Sequence, residues 1–155
     1  MTAVSDADLA AMREALAEAR EAITTGDVPV GAVVVDARGA IIARGRNERE
    51  AHTDPTAHAE VVALRQAAAA TGDWQLTGCT LVVTLEPCVL CAGAILAARV
   101  PRVVFGAFDD KAGAAGGVVD LLRERRLPFR VDEVIGGVLA DDSAGLLREF
   151  FGTRR

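Results

Sequence analysis

Two short segments, His58-Ala59-Glu60 and Pro87-Cys88-Val89-Leu90-Cys91, constrain this chain more than anything else in it. One His and two Cys supply three zinc ligands. A tetrahedral zinc ion with three protein ligands keeps its fourth position open for water or substrate. The fold must therefore bring two distant segments to one point. Each follows a proline: Asp54-Pro55 reads as a helix start, with Asp as N-cap and Pro at the first helical position, and Glu86-Pro87 opens another helix. His58, Cys88 and Cys91 are thus expected in the first turns of two helices, where backbone N–H groups and the positive dipole ends stabilise thiolates. Cys88 and Cys91, three apart, share one helix face. His58 and Glu60, two apart, would point to nearly opposite sides of a regular helix, so both serve one site only if it lies across the helix N-terminus.

The surrounding pattern alternates helix and strand. Apolar positions at helical spacing (Leu9, Met12, Leu16, Ala19, Ile23) predict an amphipathic helix over 6–24, with Gly26 beyond its end. Val30 to Val35 predicts a buried strand, 36–39 a turn, and Ala40 to Arg44 an antiparallel hairpin partner. Asn47 to Thr53 is polar and reads as a loop, followed by a helix from Asp54 to about Ala70. Strands are expected over 80–85, 102–105 and 129–134, and helices from Glu86 to about Ala98, over 118–125 and over 140–151. Three glycines among alanines in 113–117 let the backbone approach something closely. Leu146, Leu147, Phe150 and Phe151 are expected on the apolar side of the closing helix. The sum is an α/β fold with helices on both faces of a sheet.

The 155 residues are expected to form a single domain, 1–155. Aromatics are scarce (Trp74, five Phe, no Tyr), so Ala, Val and Leu must fill the core. No apolar run reaches the length of a membrane span, and the acidic, amphipathic N-terminus does not read as a signal peptide. Three cysteines, two of them in Cys-x-x-Cys, argue against a disulfide scaffold and for a reducing, cytoplasmic setting. The net charge is −5, divided as −6 over residues 1–98 and +1 over 99–155. An acidic chain weighs against wide nucleic-acid contact, though a local basic patch can still hold a few phosphates.

A structural zinc site would need a fourth ligand, and only Cys79 and His52 are spare. Cys79, at a strand entrance, reads as a small core residue and His52 as a loop or rim residue. A non-catalytic zinc-stabilised binding module and a redox dithiol are the competing readings. Arg123, Arg125 and Arg126 read by default as a solvated face, with phosphate contact as the alternative.

His-x-Glu…Pro-Cys-x-x-Cys is the pattern of zinc enzymes that deaminate cytosine or adenine. At these residues the sequence resembles the cytidine-deaminase superfamily, and within it the bacterial tRNA adenosine deaminases of the TadA type. The likeness runs from about Leu9 to Arg155. It is carried by Val28-Pro29-Val30-Gly31-Ala32, Asp54 to Glu60, Thr84 to Ala94, Val103 to Ala107, Lys111 to Gly116 and the pair Phe150-Phe151. The resemblance implies a three-layer α/β/α fold with a five-stranded mixed sheet, one Zn2+ per subunit and a homodimer. It implies conversion of adenosine to inosine at the wobble position of a tRNA anticodon stem-loop, usually of an arginine tRNA. His58, Cys88 and Cys91 would hold zinc, which brings the pKa of bound water to about 7 and so supplies hydroxide as nucleophile. Glu60 would carry protons from that water to a ring nitrogen and to the leaving ammonia.

By position, Asn47 matches a family Asn that contacts the flipped nucleotide; the competing role is a loop-capping Asn. Val30 and Leu85 would lie near the base, and Asp109 in a loop approaching the anticodon backbone. The chain departs from the family pattern at Leu127-Pro128-Phe129-Arg130 and at the double Asp of Phe108-Asp109-Asp110. The runner-up function on the same fold is deamination of a free base or nucleoside such as guanine or cytosine. The basic pair Arg154-Arg155 and the 111–116 segment favour tRNA.

Overall fold

The structure is a computed structural model, described here over residues 4–152; the basic pair Arg154-Arg155 lies outside the described residues. Its elements are α1 (Asp6–Ala22), extended by a 3-10 turn (Ile23–Thr25), β1 (Gly31–Val35), β2 (Ile41–Arg46), α2 (Arg49–His52), α3 (Ala59–Thr71), β3 (Thr80–Leu85), α4 (Val89–Ala97), β4 (Arg102–Ala107), β5 (Glu133–Ile135) and α5 (Ala140–Gly152). The five strands form one mixed sheet in the order β2-β1-β3-β4-β5. β1 runs antiparallel to β2 and β3, whereas β3, β4 and β5 are parallel. The expected three-layer α/β/α architecture is the one observed.

Side-chain alternation along the central strands explains the layers. Ala32, Val34, Leu81, Val83, Val103 and Phe105 face the core beneath α3 and α4. Their neighbours Val33, Val82 and Val104 pack with Met12, Ala15 and Leu16 of α1 on the other face, where Leu146 of α5 joins them. With few aromatics available, the helices approach the sheet closely. A Cβ at Gly31 would lie 2.0 Å from the Ala15 carbonyl oxygen, and one at Gly45 would lie 2.4 Å from that of Ala59. α5 is tied to the sheet by the buried Ser143 hydroxyl, which donates to the Thr84 carbonyl. Among the described residues, no helix is long and apolar enough to cross a membrane.

Several local expectations differ from the structure. The 47–53 segment contains the short helix α2, because the buried Asp27 carboxylate accepts the Glu50 and Ala51 amides at 2.7 and 3.2 Å. Asp54-Pro55 does not start a helix. The Asp54 carboxylate binds the Thr56 amide and hydroxyl at 2.9 and 2.8 Å, closing a turn, and α3 begins only at Ala59. Residues 118–125 are not helical. The Val118 and Val119 amides both turn back to the Gly113 carbonyl, and Ala115 bridges Asp120. The last strand is shorter and later than 129–134, because the Asp132 and Glu133 amides bind the Pro101 carbonyl and Phe129 leaves the sheet to stack on the Arg99 guanidinium. Phe150 is buried on α5 but Phe151 is exposed.

One ion-pair network joins the layers. Arg102 of β4 makes two 2.7 Å bonds to the buried Asp8 carboxylate of α1 and a 2.5 Å bond to Glu133 of β5. Asp8 also completes the capping box with Ser5. The Arg102 hydrogen bonds hold the Asp8 carboxyl down at about 2 against the opposing effect of burial. A depressed carboxylate stabilises the fold fully above its ordinary value of 3.8, and that contribution is lost as pH falls through about 2. An Asp8→Asn variant is therefore expected to lose about 2 kcal/mol at pH 7 and almost nothing relative to the parent near pH 2. Denaturant unfolding at both pH values checks this.

Candidate active site

His58 is the N-cap of α3 in an extended conformation (φ −70°, ψ 152°), and Cys88 is the N-cap of α4, also extended (φ −82°, ψ −179°). Cys91 is the third residue of α4. The ligands thus sit at the helix entrances, His58 four positions and Cys88 two positions earlier in its helix than proline-started helices would put them. This shift also removes the opposition between His58 and Glu60. His58 precedes the helix, Glu60 is its second residue, and both line the same cleft.

The His58 Nδ1 atom lies 3.7 Å from the Cys88 Sγ and 3.5 Å from the Cys91 Sγ, and all three donor atoms fall within 4.8 Å of one another. A tetrahedral zinc ion with its usual bond lengths sets nitrogen and sulfur about 3.6 Å apart. The donor set fits one zinc ion held by three protein ligands. Neither spare residue joins it: Cys79 is a free, buried thiol, and His52 is exposed and faces Glu48 at 3.0 Å.

The electrostatics suit a divalent cation. Hydrogen bonds from Cys91 and then His58 bring the Cys88 thiol down to about 3. Cys91, sharing that bond and buried, is driven up. His58 is raised by its bond to Cys88, which outweighs burial. His58, Cys88 and Cys91 would hold a zinc ion with both thiols as thiolates, because coordinated thiols are deprotonated outright. Glu60 is 4% exposed beside Cys91. Burial pushes its carboxyl up to about 7, against a hydrogen bond to its own backbone amide.

The cleft above these residues has an apolar wall of Val28, Val30 and Leu85 and a polar rim of Asn47, Arg49 and Asp109. All four residues expected near a nucleotide (Asn47, Val30, Leu85, Asp109) are thus brought to one cavity with the metal ligands His58 and Cys88. Asn47 is also the loop-capping residue of the alternative reading. Its Nδ2 donates to the Val28 carbonyl at 3.3 Å and its Oδ1 accepts the Arg49 amide at 3.3 Å. The Asp109 carboxylate accepts the Lys111 and Ala112 amides at 3.0 and 3.1 Å, which folds the double-Asp segment into a turn at the rim. The arginine cluster lies apart from the cleft lining. Arg123 pairs with Asp120 at 2.9 Å and Arg126 with Glu124 at 2.7 Å, as a solvated face does.

The model of the cytidine and deoxycytidylate deaminase zinc-binding region matches residues 5–107. A tRNA-specific adenosine deaminase from Bacillus subtilis is 49% identical over 90% of this chain and 86% of its own length. The chain belongs to the cytidine and deoxycytidylate deaminases, in the branch of the tRNA-specific adenosine deaminases. Within this family, a solved structure from studies of tRNA deaminases that edit A to I at the wobble position superposes with a TM-score of 0.84 at 40% identity, covering 89% of this chain and 99% of that one. A guanine deaminase from Nitrosomonas europaea superposes with a TM-score of 0.81 at 27% identity over 98% of this chain and 87% of its own. A tRNA(Ile)-lysidine synthase from Deinococcus deserti is 56% identical over 91% of this chain, which spans only 26% of that protein's length.

Sequence reasoning missed three residues of this deaminase site. Arg49 on the rim is hidden in a polar stretch that reads as loop. Asp27 and Glu86 are buried carboxylates that accept backbone amides, Asp27 from α2 and Glu86, itself in the cleft lining, from the 108–117 segment. The one available signal for Glu86 was the glycine cluster over 113–117, which announces a close approach without naming its partner.

Proposed function

We propose that residues 1–155 work as one zinc-dependent deaminase domain that converts adenosine to inosine at the wobble position of a tRNA anticodon. The observation that carries this reading is a single cleft lined by two of the three zinc donors, His58 and Cys88, the buried Glu60 and a polar rim of Asn47, Arg49 and Asp109, with Cys91 completing the donor set. Bound zinc supplies the Lewis acidity that makes water nucleophilic near neutral pH. The chain's own residues do the rest. Water adds at the purine carbon bearing the amino group, the exocyclic C–N bond breaks, and ammonia leaves. Glu60 takes a proton from the water and passes it to the neighbouring ring nitrogen, then takes the remaining proton of the added hydroxyl and hands it to the departing amine. Val30 and Leu85 pack on the base, the Asn47 amide addresses its edge, and Asp109 and Arg49 lie where the flanking backbone enters. A splayed, single-stranded loop lets a chain of net charge −5 bind RNA, because one flipped base and a few phosphates carry recognition.

An arginine tRNA, the cytoplasm and a homodimer complete the reading. Val89 and Leu90, 60% and 41% exposed beside the metal ligands, support self-association on the α4 face. Deamination of a free base such as guanine or cytosine is the second reading, and likeness to a guanine deaminase supports the same chemistry on it.

A substrate panel separates the two. The zinc-loaded chain is expected to release ammonia from an anticodon stem-loop with wobble adenosine, and not from free adenosine, guanine or cytosine. Turnover of a free base alone would discard the RNA partner. Asn47→Ala is expected to raise KM for the stem-loop about tenfold, by removing an amide that contacts the base and braces α2.

A further inference from the structure

We propose that Glu86 is a positioning residue for the substrate, latching the 108–117 loop to the segment that carries the zinc ligand Cys88. This rests on the deaminase reading above and assigns a residue that reading does not use. Glu86 lies between the end of β3 and Cys88 and is 2% exposed. Its own amide donates to the Ala107 carbonyl at the end of β4. Its carboxylate accepts three backbone amides of the loop: Asp109 at 3.0 Å on Oε1, and Ala115 at 2.9 Å and Gly117 at 2.7 Å on Oε2. A further bond from the Ala114 amide to the Pro87 carbonyl (2.7 Å) doubles the attachment.

The glycines make room for this carboxylate. A Cβ at Gly113 would fall 2.3 Å from the Glu86 Oε2, and one at Gly117 would fall 2.6 Å from Oε1. The close approach announced by the glycine cluster is therefore an approach to Glu86. The loop so held delivers Asp109 and Ala112 to the rim of the cleft. Three loop amides, that of Ala115 buried and those of Asp109 and Gly117 partly so, depend on one side chain. With both oxygens taken by those amides, Glu86 is turned to the loop rather than to proton transfer, which separates its role from that of Glu60.

The test uses the full zinc-loaded chain carrying Glu86→Gln. The amide keeps the volume but presents an NH2 group to N–H donors, so one or two of the three bonds are lost. Zinc is expected to stay at one per chain. Hydrogen exchange at the Asp109, Ala115 and Gly117 amides is expected to quicken about 100-fold. KM for the anticodon stem-loop should rise about tenfold with kcat within about threefold, the signature of lost binding rather than lost chemistry. Unchanged exchange at these amides, or a fall in kcat with KM unaltered, would overturn the proposal.

Should the Gln variant fail to fold, Gly113→Ala attacks the same contact from the loop side. It is expected to produce the same exchange and KM changes, and its silence on both would equally overturn the latch. If the parent turns over no stem-loop, the tRNA reading fails on its own. The exchange measurement then decides the latch by itself, with retained protection in the Gln variant counting against it.

Discussion

Glu60→Gln is expected to lower kcat by about 10³-fold or more while zinc remains at one per chain. The side chain is almost fully buried, is not one of the three donors, and faces the same cleft as His58 and Cys88. Glutamine matches its size and can still donate and accept hydrogen bonds, but it cannot take a proton from water and hand it on. Thermal stability is expected to hold or rise, because a buried carboxylate is costly to keep and an amide less so. Zinc content, melting temperature and single-turnover rate, measured on one preparation, separate the outcomes. Full activity in the Gln variant would remove Glu60 from the proton transfers. Loss of zinc would make Glu60 a support of the metal rather than a proton carrier.

Cys91→Ala is expected to remove the metal and with it both activity and a large share of stability. Cys91 is fully buried at the start of α4, and His58 and Cys88 alone leave two ligands from two different segments. Zinc affinity should fall by well over about 100-fold, since even indirect supports of a metal ligand are worth 10- to 100-fold. At a zinc concentration about 1,000 times the parent's Kd, binding stabilises the fold by about 4 kcal/mol. For a chain of this size, losing it lowers the melting temperature by about 8–16 °C. Treating the parent with a chelator should lower its melting temperature to the same extent, and adding zinc back should restore the parent but not the variant. A variant that keeps stoichiometric zinc would show that the donor set is wrong.

Much of this architecture is legible in the sequence, for a physical reason. β3 over 80–85 is a β-branched run buried on both faces, and α1 carries a clean apolar stripe closed by Gly26 in the left-handed conformation (φ 76°). In such segments, local pattern and tertiary burial ask for the same thing. The donor set is legible because zinc chemistry restricts residue types so severely that His58, Cys88 and Cys91 have few other uses in that spacing.

What was not legible depends on particular hydrogen-bond partners that propensity does not name. Asp54-Pro55 carries the residues of a helix start, but Thr56 supplies a closer partner for the Asp carboxylate, and the resulting turn leaves His58 extended. That extension is what lets His58 and Glu60 face one cleft. Val118 to Arg125 has helical spacing, yet its first amides return to Gly113, within the loop wrapped around Glu86. The short helix α2 depends on the Asp27 carboxylate more than 20 residues earlier. In the first and last cases a carboxylate, and in the second a backbone carbonyl, takes amides that propensity alone would assign elsewhere.

The most direct test of the central claim is turnover of an anticodon stem-loop with adenosine at the wobble position, run by the zinc-loaded chain in oxygen-18 water. The account requires inosine at that position carrying one oxygen-18 atom, one ammonia per inosine, and no product when the adenosine is moved into the paired stem. Labelled product from free bases only, or no ammonia from the stem-loop at any enzyme concentration, would contradict it.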